Sequence, residues 1–244
     1  MKPLLLCLHG WGGSKESFTE LRGAMDGMDV ELLTPDLPGF GEEPEPPTPW
    51  SVEQYAVWVR DWVRDRYTDT ELKERAFSIL GHSHGGRIAA WISANHLLPV
   101  EHLYLCAAAG IRHPRHCKRI IGLTLAKTGK FFLKIPVLRS LQPLGKKFLY
   151  KLVRVHDYEK ASPLMQQTLI NVTAEDLRPL IATVSIPTDL FWGENDGMTP
   201  IQDAHVMHRL IAGSVLHTYP GVRHAVHRDR AVEIAKVIRH TMHV

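Results

Sequence analysis

Short apolar runs alternate with longer amphipathic ones along most of this chain. Leu4–Leu8, Val30–Thr34, Ala76–Leu80, His102–Ala107, Ile186–Trp192 and Ser214–Tyr219 have the length and composition of strands. Between them, Ser14–Met25, Val52–Tyr67, His84–His96, Ile201–Ile211 and Arg228–Met242 read as helices. This alternation predicts parallel βαβ units, hence an α/β fold with a mostly parallel sheet flanked by helices. Ser51, with Gln54 three residues later, forms a capping box at the start of the second helix. The Pro-rich stretch Glu43–Pro49 reads as a loop.

The alternation stops at 111–180, where the pattern turns helical, apolar and basic, punctuated by Gly122, Gly129, Pro136 and Pro143. It resumes at Ile186. An insertion between two strands of one sheet accounts for this better than an independent domain. The division expected is a core at 1–110 and 185–244 with a helical cap at 111–184.

Charge sharpens that division. The 244 residues carry a net +3, yet residues 111–160 hold thirteen Lys and Arg against Asp157 and Glu159. That stretch is therefore +11 and the remainder −8. An apolar lining with a basic outer face is the plainest reading of it. Attraction of an anionic substrate or an acidic carrier, and attachment to an anionic membrane surface, are two sharper ones. No nucleic-acid motif accompanies the charge.

Composition bounds the rest. Hydrophobic residues make up 44 % and charged residues 23 %, enough apolar material for one well-packed domain. No run approaches the roughly 18–20 apolar residues of a membrane span, so no stable membrane insertion is expected. Leu4–Leu8 is shorter than the usual signal-peptide core of about 7–15 residues and lacks a small-residue cleavage site. Cys7, Cys106 and Cys117 are odd in number and widely spaced, which suits reduced thiols and a cytoplasmic location. On that reading the sequon Asn171-Val172-Thr173 is a chance match. The fifteen histidines include close pairs, but none has a second cluster of ligands at metal spacing, so neither metal nor cofactor is expected.

Gly81-His82-Ser83-His84-Gly85, followed by Gly86, sits between a strand-like and a helix-like run. A serine on so tight a turn is held with its Oγ projecting above the sheet, and only small neighbours fit around it. Serine needs a base, and the base needs an orienting acid. Asp196, in Trp192-Gly193-Glu194-Asn195-Asp196 at a strand end, is the chosen acid, with Glu194 as its competitor. Ala107-Ala108-Ala109-Gly110, after another strand, offers no carboxylate. His224, on the loop after the last strand, is the chosen base, with His227 as its competitor. His9-Gly10-Trp11-Gly12-Gly13 follows the first strand and lets backbone approach a ligand closely. The N–H groups of Trp11 and His84 are the expected oxyanion donors. The loop Asp36-Leu37-Pro38-Gly39-Phe40-Gly41 reads as structural support.

Taken in order, His9-Gly10, Asp36-x-x-Gly39-x-Gly41, Gly81-x-Ser83-x-Gly85, Trp192-Gly193-x-x-Asp196 and Gly221-x-x-His224 resemble the landmarks of the α/β-hydrolase superfamily. The resemblance covers nearly the whole chain. It implies that fold with its leading strands reduced, a helical cap, and a catalytic Ser83–His224–Asp196 triad. Dehalogenase and epoxide-hydrolase relatives carry Asp where Ser83 stands. The activity implied is cleavage of carboxylic esters or lactones, with thioester or carbon–carbon bond hydrolysis of an anionic acyl substrate as the alternative. Substrate is left open, because the fold hosts many chemistries, and the pattern leaves oligomeric state open too.

Overall fold

The structure is a computed structural model that describes residues 2–113 and 161–244. Most of the expected cap, 114–160, with all but one of its thirteen basic residues, lies outside the described residues, as does Cys117.

Six strands form one wholly parallel sheet: β1 (Leu4–Leu8), β2 (Glu31–Leu33), β3 (Ser78–His82), β4 (His102–Cys106), β5 (Thr188–Gly193) and β6 (Val215–Tyr219), in the order β2-β1-β3-β4-β5-β6. Every residue of β1, β3 and β5 is buried. A parallel sheet covered on both faces demands this, and it is why β1 is an unbroken apolar run, not an alternating one. Cys7 and Cys106 lie unpaired inside this core, and burial pushes both thiols up.

The strand expected at Ala76–Leu80 sits two residues later. Ala76 has φ +48° and turns the chain, so the extended run reaches His82 and ends directly against Ser83. The stretch expected as one helix at Ser14–Met25 divides into a 3₁₀ turn (Lys15–Phe18), capped by Ser14, and α1 (Thr19–Ala24). Next come α2 (Val52–Arg64), α3 (Asp69–Glu74) and α4 (His84–Ala94). The Ser51–Gln54 capping box opens α2, which turns Val52, Tyr55, Ala56, Val59 and Val63 inward at helical spacing. Among the described residues the remaining helices are α5 (Pro163–Ala174), α6 (Arg178–Ile181), α7 (Ile201–Leu210), α8 (Val226–Asp229) and α9 (Ala231–Met242).

Leu177, Ile181 and Val184, around α6, join the same buried cluster as the strands. α5 is tied to the body at two points. Thr168 Oγ1 accepts from the Trp50 amide at 3.1 Å, and Met165 fills the space beside Gly39, where a Cβ would fall 2.4 Å from Met165 Cε and where the φ of +88° itself favours glycine. Among the described residues no helix is long and apolar enough to cross a membrane.

The chain leaves β1 toward the edge strand β2, returns to β3 on the other side of β1, and then proceeds one way to β6. The direction reverses between β1 and β3. In open parallel sheets ligands bind at the carboxyl ends of the strands, at such a reversal. All six strands point the same way, so the loops after β1, β3, β5 and β6 gather at one rim.

Candidate active site

Ser83 caps α4 with φ +51° and ψ −109°, a backbone conformation disfavoured for any residue with a side chain. Close packing holds it there. A Cβ at Gly81 would lie 2.5 Å from Gly85 O, one at Gly85 2.0 Å from Leu8 O, and one at Gly86 2.5 Å from Ala108 Cβ. Ser83 N donates to Cys106 O at 3.1 Å, and Ser83 O accepts from Ala109 N at 2.9 Å and from Arg87 N at 3.2 Å. The turn is therefore pinned to both β1 and β4, and the small residues around Ser83 are a packing requirement.

Asp196 and His224 come from the loops after β5 and β6. Gly193 brings the loops together, since a Cβ there would fall 2.4 Å from both Val222 O and Arg223 O. Glu194 N and Asn195 N donate across to Tyr219 O and Val222 O. Trp192, fully buried, anchors the far side by donating from Nε1 to Thr199 O at 2.8 Å. Within this frame His224 Nδ1 lies 2.7 Å from Asp196 Oδ2. Asp196 Oδ1 accepts from the amides of Met198 (2.7 Å) and Thr199 (3.0 Å), and Thr199 Oγ1 lies 2.8 Å from Oδ2. Burial alone would raise the Asp196 carboxyl, but hydrogen bonds from His224, Met198 and Thr199 overcome it and hold the group below its ordinary range. The competitors stand elsewhere. Glu194 is exposed, and His227 is buried against the ring of His82, with centroids 3.8 Å apart.

His82, next to Ser83, supports the histidine loop: its Nε2 donates to His224 O at 3.0 Å, and the two rings lie 4.9 Å apart between centroids. Among the described residues Ser83 Oγ has no hydrogen-bond partner, so the Ser83–His224 bond is not formed in the structure. In ligand-free sites such bonds are often long and tighten only when substrate binds.

The loop after β1 is fixed by His9, whose Nε2 accepts from Leu37 N at 2.9 Å while Nδ1 donates to Gly10 O at 2.8 Å. Asp36 accepts from the amides of Lys15 and Glu42, so the Asp36–Gly41 loop braces the loop carrying Trp11. The N–H groups of Trp11 and His84 carry no hydrogen bond among the described residues. The His84 ring is buried edge-on between Trp11 and Tyr55, and burial with the nearby Arg87 charge keeps it neutral.

A cavity of about 450 Å³, within the range of small-molecule sites, opens at this rim and is lined by Trp11, Ser83, His84, Arg87, Thr199 and Asp203, among others. Three of these escaped sequence reasoning. Thr199 was legible in part, because Asp196 followed three residues later by Thr is the spacing of a local side-chain turn. Arg87 stands in an otherwise apolar stretch of α4 and could have been flagged as a buried charge. Asp203, buried and bonded at 2.6 Å to His113 Nε2, carries no local signal. Among the described residues no group of three or more His, Cys, Asp or Glu is placed to hold a metal.

A parallel sheet with a strained serine between strand and helix, and an imidazole–carboxylate pair at the same rim, defines a hydrolase of the α/β class. The comparison with family models agrees: residues 5–237 match the alpha/beta hydrolase family, and the chain belongs to it. Among known relatives, Lipase 1 of Psychrobacter immobilis is 26 % identical over 220 residues, covering 86 % of this chain and 67 % of its own. Among solved structures, an esterase from Exiguobacterium antarcticum aligns over 99 % of this chain and 92 % of its own, with a TM-score of 0.73 and 21 % identity. The enol-lactonase from Burkholderia xenovorans aligns over 100 % and 92 %, with a TM-score of 0.71 and 17 % identity.

Proposed function

We propose that the protein cleaves carboxylic esters or lactones of small to medium acyl chain through an acyl-enzyme on Ser83. The observation that carries this reading is the position of Ser83, held at φ +51° at the head of α4, on the rim where His224 pairs with Asp196. The names of the similar lipase, esterase and enol-lactonase support the same chemistry.

In the first half-reaction Ser83 Oγ attacks the carbonyl carbon while His224 Nε2 takes the hydroxyl proton. Asp196 keeps the other ring nitrogen protonated and faces the charge that forms on the ring. The carbonyl oxygen becomes an oxyanion at the N–H groups of Trp11 and His84, each such donor contributing roughly 3–4 kcal/mol to the transition state. Collapse breaks the carbon–oxygen bond, and the proton on His224 passes to the departing alcohol oxygen. Water then repeats the sequence, with His224 as base, and releases the acid and free Ser83. For a lactone the departing alcohol stays joined to the acyl group until water releases the hydroxy acid.

Hydrolysis of p-nitrophenyl butyrate by the protein and by Ser83→Ala tests this. The variant should lose at least a thousandfold in kcat with its melting temperature within a few degrees of the parent. Undiminished turnover by a folded Ser83→Ala protein would rule the assignment out.

A further inference from the structure

Arg87 lies in the first turn of α4, four residues after Ser83 at its N-cap, and both residues line the same cavity. It is only 7 % exposed and forms part of the cavity wall together with Ser83 and Trp11. Its Nε and Nη1 are enclosed with no hydrogen-bond partner among the described residues. Guanidinium nitrogens enclosed without a partner are costly to desolvate and call for an explanation. Burial pulls its pKa down to about 10, partly opposed by the charge of Glu175, so it stays protonated at neutral pH.

Two carboxylates at this rim are engaged elsewhere. Asp196 is held by His224, Met198 and Thr199, and Asp203 by His113. Glu175 follows the end of α5 and, among the described residues, makes no ion pair with Arg87. Arg112 lines the same cavity, so among the described residues its wall carries two guanidinium groups against a single acid, Asp203, which is bonded to His113.

We propose that Arg87 is a carboxylate-binding subsite, and that the ester or lactone taken into this cavity carries a second carboxylate that does not react. A guanidinium fork matches a carboxylate with two parallel N–H···O bonds, which a neutral chain end cannot offer. Placed one helical turn from the nucleophile, it holds the charged end while the ester carbonyl meets Ser83. The inference rests on Ser83 as nucleophile, and its test separates the two.

The kinetic arm compares mono-p-nitrophenyl adipate with p-nitrophenyl hexanoate, and 4-butyryloxybenzoate with its methyl ester, placing the anion on the acyl and the alcohol side in turn. The parent should prefer the anionic member of at least one pair. In Arg87→Met, which keeps the stem and removes the charge, the anionic-to-neutral ratio of kcat/KM for that pair should fall at least tenfold, with partial recovery in Arg87→Lys. The binding arm titrates Ser83→Ala with adipate and 4-hydroxybenzoate, and with adipamide and 4-hydroxybenzamide as neutral controls. At least one acid should bind tenfold more tightly than its amide. If Arg87→Met does not fold, this arm decides alone. An unchanged ratio in a folded Arg87→Met, or no preference for either acid over its amide, overturns the proposal. Turnover retained by Ser83→Ala would instead defeat the nucleophile assignment and leave the binding result standing.

Discussion

Thr199 shows how a single hydroxyl organises this rim. Its Oγ1 lies 2.8 Å from Asp196 Oδ2, 3.1 Å from Ala107 O and 3.3 Å from His224 Nδ1, and its one proton can serve only one acceptor at a time. By donating to Oδ2 it fixes the carboxylate plane that aligns His224. Thr199→Val keeps the shape and removes the proton; kcat on p-nitrophenyl butyrate should drop about tenfold with KM nearly unchanged, the signature of an interaction that aligns the reacting groups. Asp196→Asn should fall much further, by roughly a thousandfold or more, because an amide leaves the wrong tautomer of His224 in place. Equal losses in the two variants, read from initial rates, would contradict this ranking.

At the scale of elements, the strand β3, the turn at Ser83 and the helix α4 work as one rigid unit because glycine lets backbone meet backbone. Gly85 packs against Leu8 O of β1, and Gly86 against Ala108 after β4. A methyl at Gly85 would have to displace a strand carbonyl, so Gly85→Ala should cost about 3 kcal/mol or more in urea unfolding and lower activity with it. Gly23, at the exposed end of α1, has nothing near its Cβ position, and Gly23→Ala should be neutral or slightly stabilising by the same measurement. The β3–turn–α4 unit was legible in the sequence, since a glycine-flanked serine between an apolar run and a helical one admits few structures. The two-residue offset of β3 was not, because it follows from the positive φ at Ala76, a residue whose type gives no warning of it. The break between the 3₁₀ turn and α1 was equally hidden, both halves sharing one amphipathic pattern.

For the molecule as a whole, the buried histidines contribute to its response to acid, and two of them, His82 and His227, stack behind the site. Burial and the neighbouring His224 drop His227 to about 3, and burial with His227 and His224 holds His82 well below the ordinary range. Both are neutral when folded, whereas the unfolded chain protonates them near pH 6.5. Below that pH the unfolded state binds more protons, so stability falls as pH drops from about 6.5 toward 3. The loss should be on the order of 1 kcal/mol per pH unit for each such histidine. His227→Phe should therefore flatten the dependence of urea-unfolding stability on pH between 6.5 and 4; an unaltered slope would contradict this account. The sequence by itself determined the α/β fold, its strand segments and the serine turn, because apolar period and glycine spacing act over a few residues. It also placed Asp196 and His224 on loops after the last two strands, as chain order and the resemblance suggested. Only the tertiary structure brought those loops to 2.7 Å of each other, set His227 apart on the ring of His82, and enclosed Arg87 without a partner. Each of these depends on contacts between residues far apart in the chain, and no local pattern records which buried charge finds a counterpart.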